Sequence, residues 1–589
     1  LQQLNDYLKS KKLLLVLDNC EHLIGACAEI VNALLRNTLA LTILATSREA
    51  LGVPGELIWH VPSLSLPDGK QIGSVEGLSQ YEAVQLFIER AILAQPHFHV
   101  TNENAPAIAQ ICFRLDGIPL AIELAAARVK MLGVDQIHKR LDDRFRLLTG
   151  GSRTVLERHQ TLRAALDWSY NLLSDDEKLL LNRLTIFAGG WSLEAAEEVC
   201  EGNHEAASYD VVDLLTHLVD KSLVFLDGSR YNMLETTRQY AYEKLVESGE
   251  LEWVQSSHLH FYMKLAEEAE TKLYGPEQAY YLEQLETEQG NLRTALKWGL
   301  GNPTEAGFRL ASALWIFWFM HAHFVEGCQW YDKALSISNA ASPYIRMRLL
   351  VGTASNAFGQ YQFERTTELS EQSLFLAREQ QDTWGTGMSL HHLGSVAMVQ
   401  GDYKRAELLL EEGLIMTHDM KGWNLESIFL DELGQLAQAQ GDYVKAKEYY
   451  ERALLLDQKQ GNRWANSYGL LHMALLAYQQ NEYDKSRTLL QQSITLASEF
   501  NDKRMISGTL ELMGMIAIWQ DELERAASLI GSAESVLESI GLAFVPEETN
   551  IINTLRDQLG EDTFEKRRSE GRVLTMKQAI TFACEKSNA

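Results

Sequence analysis

Apolar positions fall into two regimes along the chain, one with short unbroken runs and one with helical spacing. Leu13 to Leu17 is an unbroken apolar run that ends at Asp18, and Leu41 to Ala45 is a second that ends in Thr46-Ser47-Arg48. Between them, apolar spacing predicts a helix from Glu21 to Arg36. Runs of this kind predict parallel strands covered on both faces. A strand–helix–strand unit places Asp18 and Thr46–Arg48 at strand carboxyl ends, where open α/β sheets bind ligands. Further helices are predicted over 79–95, 104–115 and 119–131, with Gly117 and Pro119 punctuating the last two.

From about 151 to 250 the pattern changes. Thr161–Tyr170, Asp175–Phe187 and Tyr209–Asp220 are amphipathic, and Ser174 with Glu177 forms a capping-box signature before the second. Leu223–Leu226 and Tyr231–Leu234 flank Asp227-Gly228, a strong hairpin signal. Helices followed by a hairpin predict a winged helix.

Beyond 251 the pattern is helical and repeats every 40 residues. Phe363, Tyr403, Tyr443, Tyr483 and Leu523 occupy one register; Thr366, Ala406, Ala446, Ser486 and Ala526 occupy a small-residue register. Leu374, Leu414, Leu454 and Ile494 occupy a third. A small side chain on one helix lets a bulky neighbour pack close, which is the logic of stacked helix pairs. The period exceeds the 34 residues of tetratricopeptide repeats, so the repeats are tetratricopeptide-like.

A chain of 589 residues is too long for one core. The net charge of -27 disfavours direct contact with a phosphate backbone. The run Lys566-Arg567-Arg568 sits among acids and reads as a solvated helix face. The six cysteines are scattered without a Cys-x-x-Cys pair, which predicts reduced thiols and a cytoplasmic location. Leu310–Met320 is too short to span a membrane and reads as a core helix. The histidine pairs His97/His99, His258/His260 and His321/His323 are two apart, which separates them on a helix, so solvated or packed histidines are expected. Aromatics such as Trp384, Trp423, Trp464 and Tyr449 are expected to be inter-repeat core, with a ligand-facing concave surface as the alternative.

Several segments resemble one family. Leu15-Val16-Leu17-Asp18-Asn19-Cys20-Glu21-His22 is similar to the Walker B segment of bacterial STAND (NB-ARC-like) ATPases, and Ala45-Thr46-Ser47-Arg48-Glu49 to their sensor segment. Leu115-Asp116-Gly117-Ile118-Pro119-Leu120-Ala121-Ile122-Glu123 resembles their Gly-Leu-Pro-Leu motif, with Ile118 in place of leucine. Arg158–Arg163 and Phe187–Gly190 are similar to the opening of their winged-helix lid, and Leu234–Ala241 to its closing helix. Such proteins include transcription regulators with LuxR-type or antibiotic-regulator-type DNA-binding domains.

The resemblance implies a multidomain, mainly α chain: a partial α/β P-loop NTPase domain, a winged helix, then an α-solenoid of tetratricopeptide-like repeats. The expected divisions are 1–75 for the nucleotide-binding α/β part, 76–150 for a helical subdomain and 151–250 for the winged helix. A helical linker over 251–302, repeats over 303–545 and a helical cap over 546–589 complete the division.

The resemblance also implies a nucleotide-gated signal-transduction regulator of transcription binding ATP or ADP with Mg²⁺. Asp18 would hold the ion, Arg48 would read the γ-phosphate, and Thr46 and Ser47 would add hydroxyls. Gly117 and Pro119 would lie at the nucleotide, the proline against adenine. An alternative for Asp18 is capping the following helix, and for Arg48 pairing with Glu49 or Glu56. No Gly-x-x-x-x-Gly-Lys-Ser/Thr occurs, and the chain opens on Leu1, so a phosphate-cradling loop is expected upstream. Asn19 follows Asp18 where a second acid serves as base in many such ATPases; Glu21 is a weak substitute. Leu234 stands where plant and animal relatives carry a nucleotide-touching histidine. Slow or absent hydrolysis follows. The repeats are expected to receive a small-molecule inducer or protein partner, with ATP-dependent self-association and DNA contact only through an effector domain outside this chain. No membrane contact is expected. The rival class is an interaction scaffold with a degenerate ATPase remnant.

Overall fold

The computed structural model describes residues 8, 12–18, 20, 23–38, 40–47, 49–59, 61–67, 78, 80–141, 162–201, 210–418, 425–542 and 546–585. Two compact units divide the chain, Leu1–Ser257 and His258–Ala589. Among the described residues no helix is long and apolar enough to cross a membrane. Cys20, Cys27, Cys112, Cys200, Cys328 and Cys584 form no disulfides among the described residues.

In the first unit, β1 (Leu13–Leu17) and β2 (Leu41–Ala45) pair in parallel, Leu13 against Leu41 through Leu17 against Ala45. Helix α1 (Ile24–Asn37) joins them. Leu13, Leu15 and Ile43 pack with Leu34 of α1. Leu14, Val16 and Leu44, on the alternate face, are 57%, 54% and 53% exposed. The expectation of strands covered on both faces is therefore corrected. Side chains alternate across a strand, and the apolar cluster against α1 takes only the odd-numbered residues of this ladder.

A second core gathers α2 (Glu82–Ala94), α3 (Ala105–Arg114), α4 (Pro119–Ala126) and α5 (Val134–Arg140) around Phe87, Ile108, Ile111 and Ile122. Helices α6 (Leu162–Asn171), α7 (Asp175–Leu184), α8 (Leu193–Cys200) and α9 (Val211–Asp220) follow. The capping box at Ser174 and Glu177 is formed in both directions. Asp210 caps α9 by accepting from the Val212 N–H at 2.9 Å, so one acid of that helix serves its own backbone.

The hairpin pairs β3 (Phe225–Asp227) with β4 (Arg230–Asn232) around Gly228-Ser229, and Tyr231 also bridges to Trp191. Gly190 precedes that bridge at φ 86°, and a Cβ there would meet Asn232 Oδ1 at 2.5 Å. Gly190 thus has a steric reason, whereas Gly189 is required by its left-handed backbone at φ 84°. Helix α10 (Glu235–Ser248) returns Tyr240 to the core of α2–α5.

In the second unit, five helical hairpins recur between 343 and 538: α17 (Pro343–Gly359) with α18 (Phe363–Glu379), α19 (Thr383–Val399) with α20 (Tyr403–Thr417), α21 (Leu425–Ala439) with α22 (Tyr443–Gln460), α23 (Arg463–Gln479) with α24 (Tyr483–Glu499), and α25 (Lys503–Trp519) with α26 (Leu523–Glu538). Phe363, Tyr403, Tyr443, Tyr483 and Leu523 each open the second helix of a pair. The turn before them is left-handed at Tyr361, Gly401, Gly441, Asn481 and Asp521. Each turn closes when the next N–H donates to a helix carbonyl, as Asp402 does to Ala397 at 2.9 Å.

The small register Thr366, Ala406, Ala446, Ser486 and Ala526 is wholly buried. In the third register Ile494 is buried, whereas Leu374, Leu414 and Leu454 are half-buried. A tighter register escaped the sequence reading. Ser373, Gly413, Ala453, Ser493 and Ala533 are all buried, and a Cβ on Gly413 would strike the Phe429 ring. Ahead of the hairpins lie α11 (Leu251–Lys272), which begins before His258, then α12 (Gln278–Thr287), α13 (Gln289–Gly301), α14 (Glu305–Ala313), α15 (Trp315–Met320) and α16 (Phe324–Ser336).

After the hairpins come α27 (Pro546–Leu559), α28 (Glu561–Arg572) and α29 (Met576–Cys584). Here the basic run departs from a plain solvated face. Arg568 forks onto Glu534 at 2.7 and 3.0 Å, and Glu534 is only 2% exposed. Arg567 meets Glu524 at 2.6 Å, while Lys566 alone is exposed. Acids on α26 supply the partners, which spacing within the run could not show.

Candidate functional site

The parallel ladder continues past the strands. The Thr46 N–H donates to Leu17 O at 2.8 Å and the Cys20 N–H to Thr46 O at 3.0 Å. This brings the Thr46 hydroxyl onto the exposed Asp18 carboxylate, to which it donates a hydrogen bond. Ser47 Oγ instead accepts from the Glu49 N–H at 3.4 Å. Glu56 is held by the N–H groups of Leu51, Gly52 and Val53 at 2.9, 2.8 and 3.3 Å. Glu21 and Arg48 lie outside the described residues, as do Asn19 and the Arg158–Thr161 part of the lid-opening segment.

Gly117 and Pro119 sit on a different connection, between α3 and α4. Gly117 has φ 65°, and a Cβ there would strike the Leu64 carbonyl, whose own N–H donates to Gly117 O at 3.1 Å. Close backbone approach alone thus accounts for glycine here. Pro119 is exposed and opens α4, where its missing N–H costs nothing. Asp116 Oδ2 accepts from the Thr236 N–H at 2.9 Å. It caps the first turn of α10, whose own N-cap Leu234 has no side-chain acceptor. Two segments singled out in the sequence, Leu115–Glu123 and Leu234–Ala241, are therefore joined by one charge-assisted hydrogen bond.

The repeats enclose a cavity of ≈ 340 Å³. Trp315, Phe319, Phe358, Tyr361, Trp464 and Tyr468 contribute aromatic wall, and Asp431, Glu432, Asp457 and Arg504 contribute charge. Trp464 and Tyr468 lie one turn apart on α23, their rings 4.9 Å apart, and both donate to the buried Asp502, from Nε1 at 2.8 Å and Oη at 3.2 Å. Burial raises the Asp502 carboxyl above its ordinary range. Arg504 lies 5.7 Å from the Phe319 ring centroid.

Three lining histidines differ sharply. Burial, with His391 alongside, pushes His392 well below the usual imidazole range. Its Nε2 meets Ser355 Oγ at 3.0 Å, while its Nδ1 has no partner. His391 Nδ1 and Glu432 Oε2 stand 3.1 Å apart without hydrogen-bond alignment. For His472, burial lowers the pKa but the Asp431 carboxylate 2.9 Å away outweighs it and raises the net value. Buried polar atoms left without partners are costly unless a ligand or water meets them.

The other aromatics divide. Trp384 is core, with Arg348 stacked 4.5 Å from its ring centroid. Tyr449 is half-buried, and Trp423 lies outside the described residues. Of the three that are described, Trp464 lines the cavity, whereas Trp384 and Tyr449 do not.

For one histidine pair the structure corrects the separation that two-residue spacing on a helix predicts. His321 and His323 converge on Glu286 Oε2, each at 3.1 Å. They do not share a helix: α15 ends at Met320, Ala322 is left-handed at φ 55°, and α16 starts at Phe324. His97 and His99 are exposed and His258 is buried, as expected for solvated or packed histidines.

Residues 348–550 match the family model of the MalT-like TPR region. A Mycobacterium tuberculosis (strain H37Rv) protein named "Putative HTH-type transcriptional regulator Rv0890c" is 44% identical over 364 residues, 60% of this chain and 39% of that protein. A second protein of that strain, Rv0894, named as uncharacterized, is 44% identical over 247 residues, 41% of this chain and 60% of its own length. The chain thus spans 39% of the first relative and 60% of the second, less than two thirds of either. Among solved structures, the STAND protein PH0952 of Pyrococcus horikoshii, with a tetratricopeptide repeat sensor, aligns over 97% of this chain and 85% of its own at 13% identity and a TM-score of 0.42. The class in hand is a mainly helical chain carrying a MalT-like repeat region, and its sequence relatives include a protein named as a transcriptional regulator.

Proposed function

We propose that the chain is the sensing and gating part of a nucleotide-controlled transcription regulator, in which the repeats take up a small ligand or a segment of a partner protein. The cavity carries this reading: aromatic walls, convergent histidine, carboxylate and guanidinium groups, and lining residues with buried, unpartnered polar atoms, which together suit a ligand site. Named carboxylates outnumber the guanidinium there three to one, so a ligand with an apolar body and a donor-rich or cationic end fits best. Helices α6–α9 with the β3–β4 hairpin and α10 would serve as the winged-helix lid. Asp116 would tie the lid's closing helix to the Gly-Ile-Pro segment.

The donor set at the strand edge fits the ion side of a nucleotide site. Asp18 and Thr46 offer hard oxygens at strand carboxyl ends, and Mg²⁺ bound there would neutralise phosphate charge. Asp18 would hold the ion and Thr46 would orient the carboxylate. Ligand capture would shift the nucleotide-dependent state only by its differential affinity for the two conformations. Self-association in the ATP state and DNA contact through a separate effector domain complete the reading.

Tryptophan fluorescence tests the cavity, since Trp315 and Trp464 line it. Benzyltrimethylammonium is expected to give a saturable change that phenylacetate does not, and Glu432→Gln is expected to weaken it at least threefold. Equal response to both probes, or none, overturns the ligand class. ATP and ADP are expected to bind this chain no tighter than millimolar, because it has no Gly-x-x-x-x-Gly-Lys-Ser/Thr to cradle phosphates. Calorimetry giving a micromolar Kd would contradict that.

The interaction-scaffold reading draws on Gly117, where the close approach of the Leu64 carbonyl accounts for a glycine without a nucleotide. A nucleotide-dependent change in hydrodynamic size, measured on a protein that includes a phosphate-cradling loop, separates the two readings.

A further inference from the structure

The Glu286, His321 and His323 side chains present one ligand atom each, all within 4.8 Å of one another. Glu286 ends α12, whereas the two histidines flank the left-handed turn at Ala322. That turn is closed when the His323 N–H donates to Trp318 O at 2.9 Å. It throws both imidazoles to one side, which two residues on a continuous helix could not do.

The amide of Gln289 fixes how the group is wired. Gln289 Oε1 accepts from Arg293 Nη2 at 2.6 Å, so its NH₂ must face the other way. That NH₂ meets Glu286 Oε2 at 2.7 Å and His323 Nε2 at 2.9 Å. His323 Nε2 is then unprotonated, the form a metal ion requires, and it stands 3.1 Å from a Glu286 carboxylate oxygen, its lone pair shared between the Gln289 N–H and any cation placed there. Two acceptors at that distance call for a proton or a cation between them. The Arg293 charge is already met by a fork onto Glu326 at 2.6 and 2.7 Å.

We propose that Glu286, His321 and His323 form a binding site for one divalent transition-metal ion, zinc being the best match. Two imidazole nitrogens and one carboxylate oxygen suit zinc, whereas magnesium and calcium favour all-oxygen sets. With zinc–ligand bonds of about 2.0–2.1 Å, tetrahedral ligand atoms stand about 3.3 Å apart. The 3.1 Å separations from Glu286 Oε2 to each imidazole lie close to that edge. Three protein ligands leave a fourth position for water or an incoming donor. Glu286 is 44% exposed at its side chain and His321 10%, so the ion has an entry path on one side and packing on the other. The ion would pin the end of α12 to the α15–α16 turn, at the head of the repeat array.

Calorimetric titration of the chelator-stripped protein with ZnCl₂ at neutral pH tests this. One equivalent is expected to bind with a micromolar or tighter Kd. Glu286→Gln, His321→Ala and His323→Ala are each expected to weaken that event at least tenfold, with the helical circular-dichroism signal retained. Co²⁺ in place of Zn²⁺ is expected to give a tetrahedral-intensity visible band that Glu286→Gln, the near-isosteric variant, removes. Absence of a one-to-one event, a preference for Mg²⁺, or zinc binding unaffected by all three substitutions overturns the proposal.

Discussion

Glu270→Ala is expected to destabilise the repeat unit by about 3–5 kcal/mol, the cost of stranding a buried charge. Glu270 is 4% exposed and Arg348 8%, and they form a buried ion pair in which Glu270 Oε1 also accepts from Trp315 Nε1 at 2.7 Å. Burial raises the Glu270 carboxyl, against the pull of Arg348. On the other side, burial opposes the guanidinium charge, but Glu270 overrides it and holds Arg348 more firmly protonated. Removing the acid leaves the Arg348 guanidinium buried and stacked on Trp384 without the Glu270 carboxylate that balances its charge. The pair itself is replaceable: Glu270→Met with Arg348→Met is expected to lose less than Glu270→Ala alone. Urea unfolding followed by tryptophan fluorescence measures all three proteins. A loss below about 1 kcal/mol for Glu270→Ala would show the guanidinium finding water, contrary to its burial.

Stability of the same unit is expected to fall by about 3 kcal/mol as pH drops from about 6.5 to 4, through His258 alone. His258 is 1% exposed, and burial depresses its pKa to about 4, with a weak opposing bond from Nε2 to Asn291 Oδ1 at 3.5 Å. Above the unfolded value of about 6.5 both states are neutral, so nothing is lost. Between the two values the unfolded chain takes a proton that the folded chain refuses, so stability rises with pH across that window. His392, also depressed by burial, acts with the same sign. Denaturation midpoints across this range should flatten in His258→Gln by about the amount assigned. An unchanged slope would mean that His258 charges while folded.

The 40-residue period was legible because each repeat presents the same local problem. A left-handed residue must precede the second helix, and Gly401 and Gly441 announce it, while Asn481, Asp521 and Tyr361 fill the same place less plainly. The small register at Thr366, Ala406, Ala446, Ser486 and Ala526 could be read because burial punishes any larger side chain at every copy. The neighbouring register at Ser373, Gly413, Ala453, Ser493 and Ala533 carries the same small-residue signal. Capping at Ser174 and the turn at Gly228 were also visible, since both depend on residues a few positions apart.

The candidate sites were less legible. The dismissal of His321 and His323 assumed a helix through both, and Ala322, a residue with no turn signature, breaks it. Their partner Glu286 comes from another helix, so no local spacing encodes the cluster. Asp18 and Thr46 could be placed together because strand ends in a parallel pair are adjacent by construction. Trp464 could not be distinguished from Trp384, because helical periodicity marks an inner face without saying whether a neighbour or a cavity fills it.

By itself, the amino-acid sequence determined the helical-hairpin array, its period and the hairpin, which follow from residues close in the chain or from a repeated local constraint, and it placed Asp18 and Thr46 at the ends of adjacent parallel strands. Only the tertiary structure decided which apolar strand face stays exposed, that Arg568 is drawn onto Glu534, that Asp116 caps α10, and that Glu286 meets two histidines. These depend on distances between segments far apart in sequence. Side-chain chemistry states what each group needs, but the packing of distant elements decides which group supplies it.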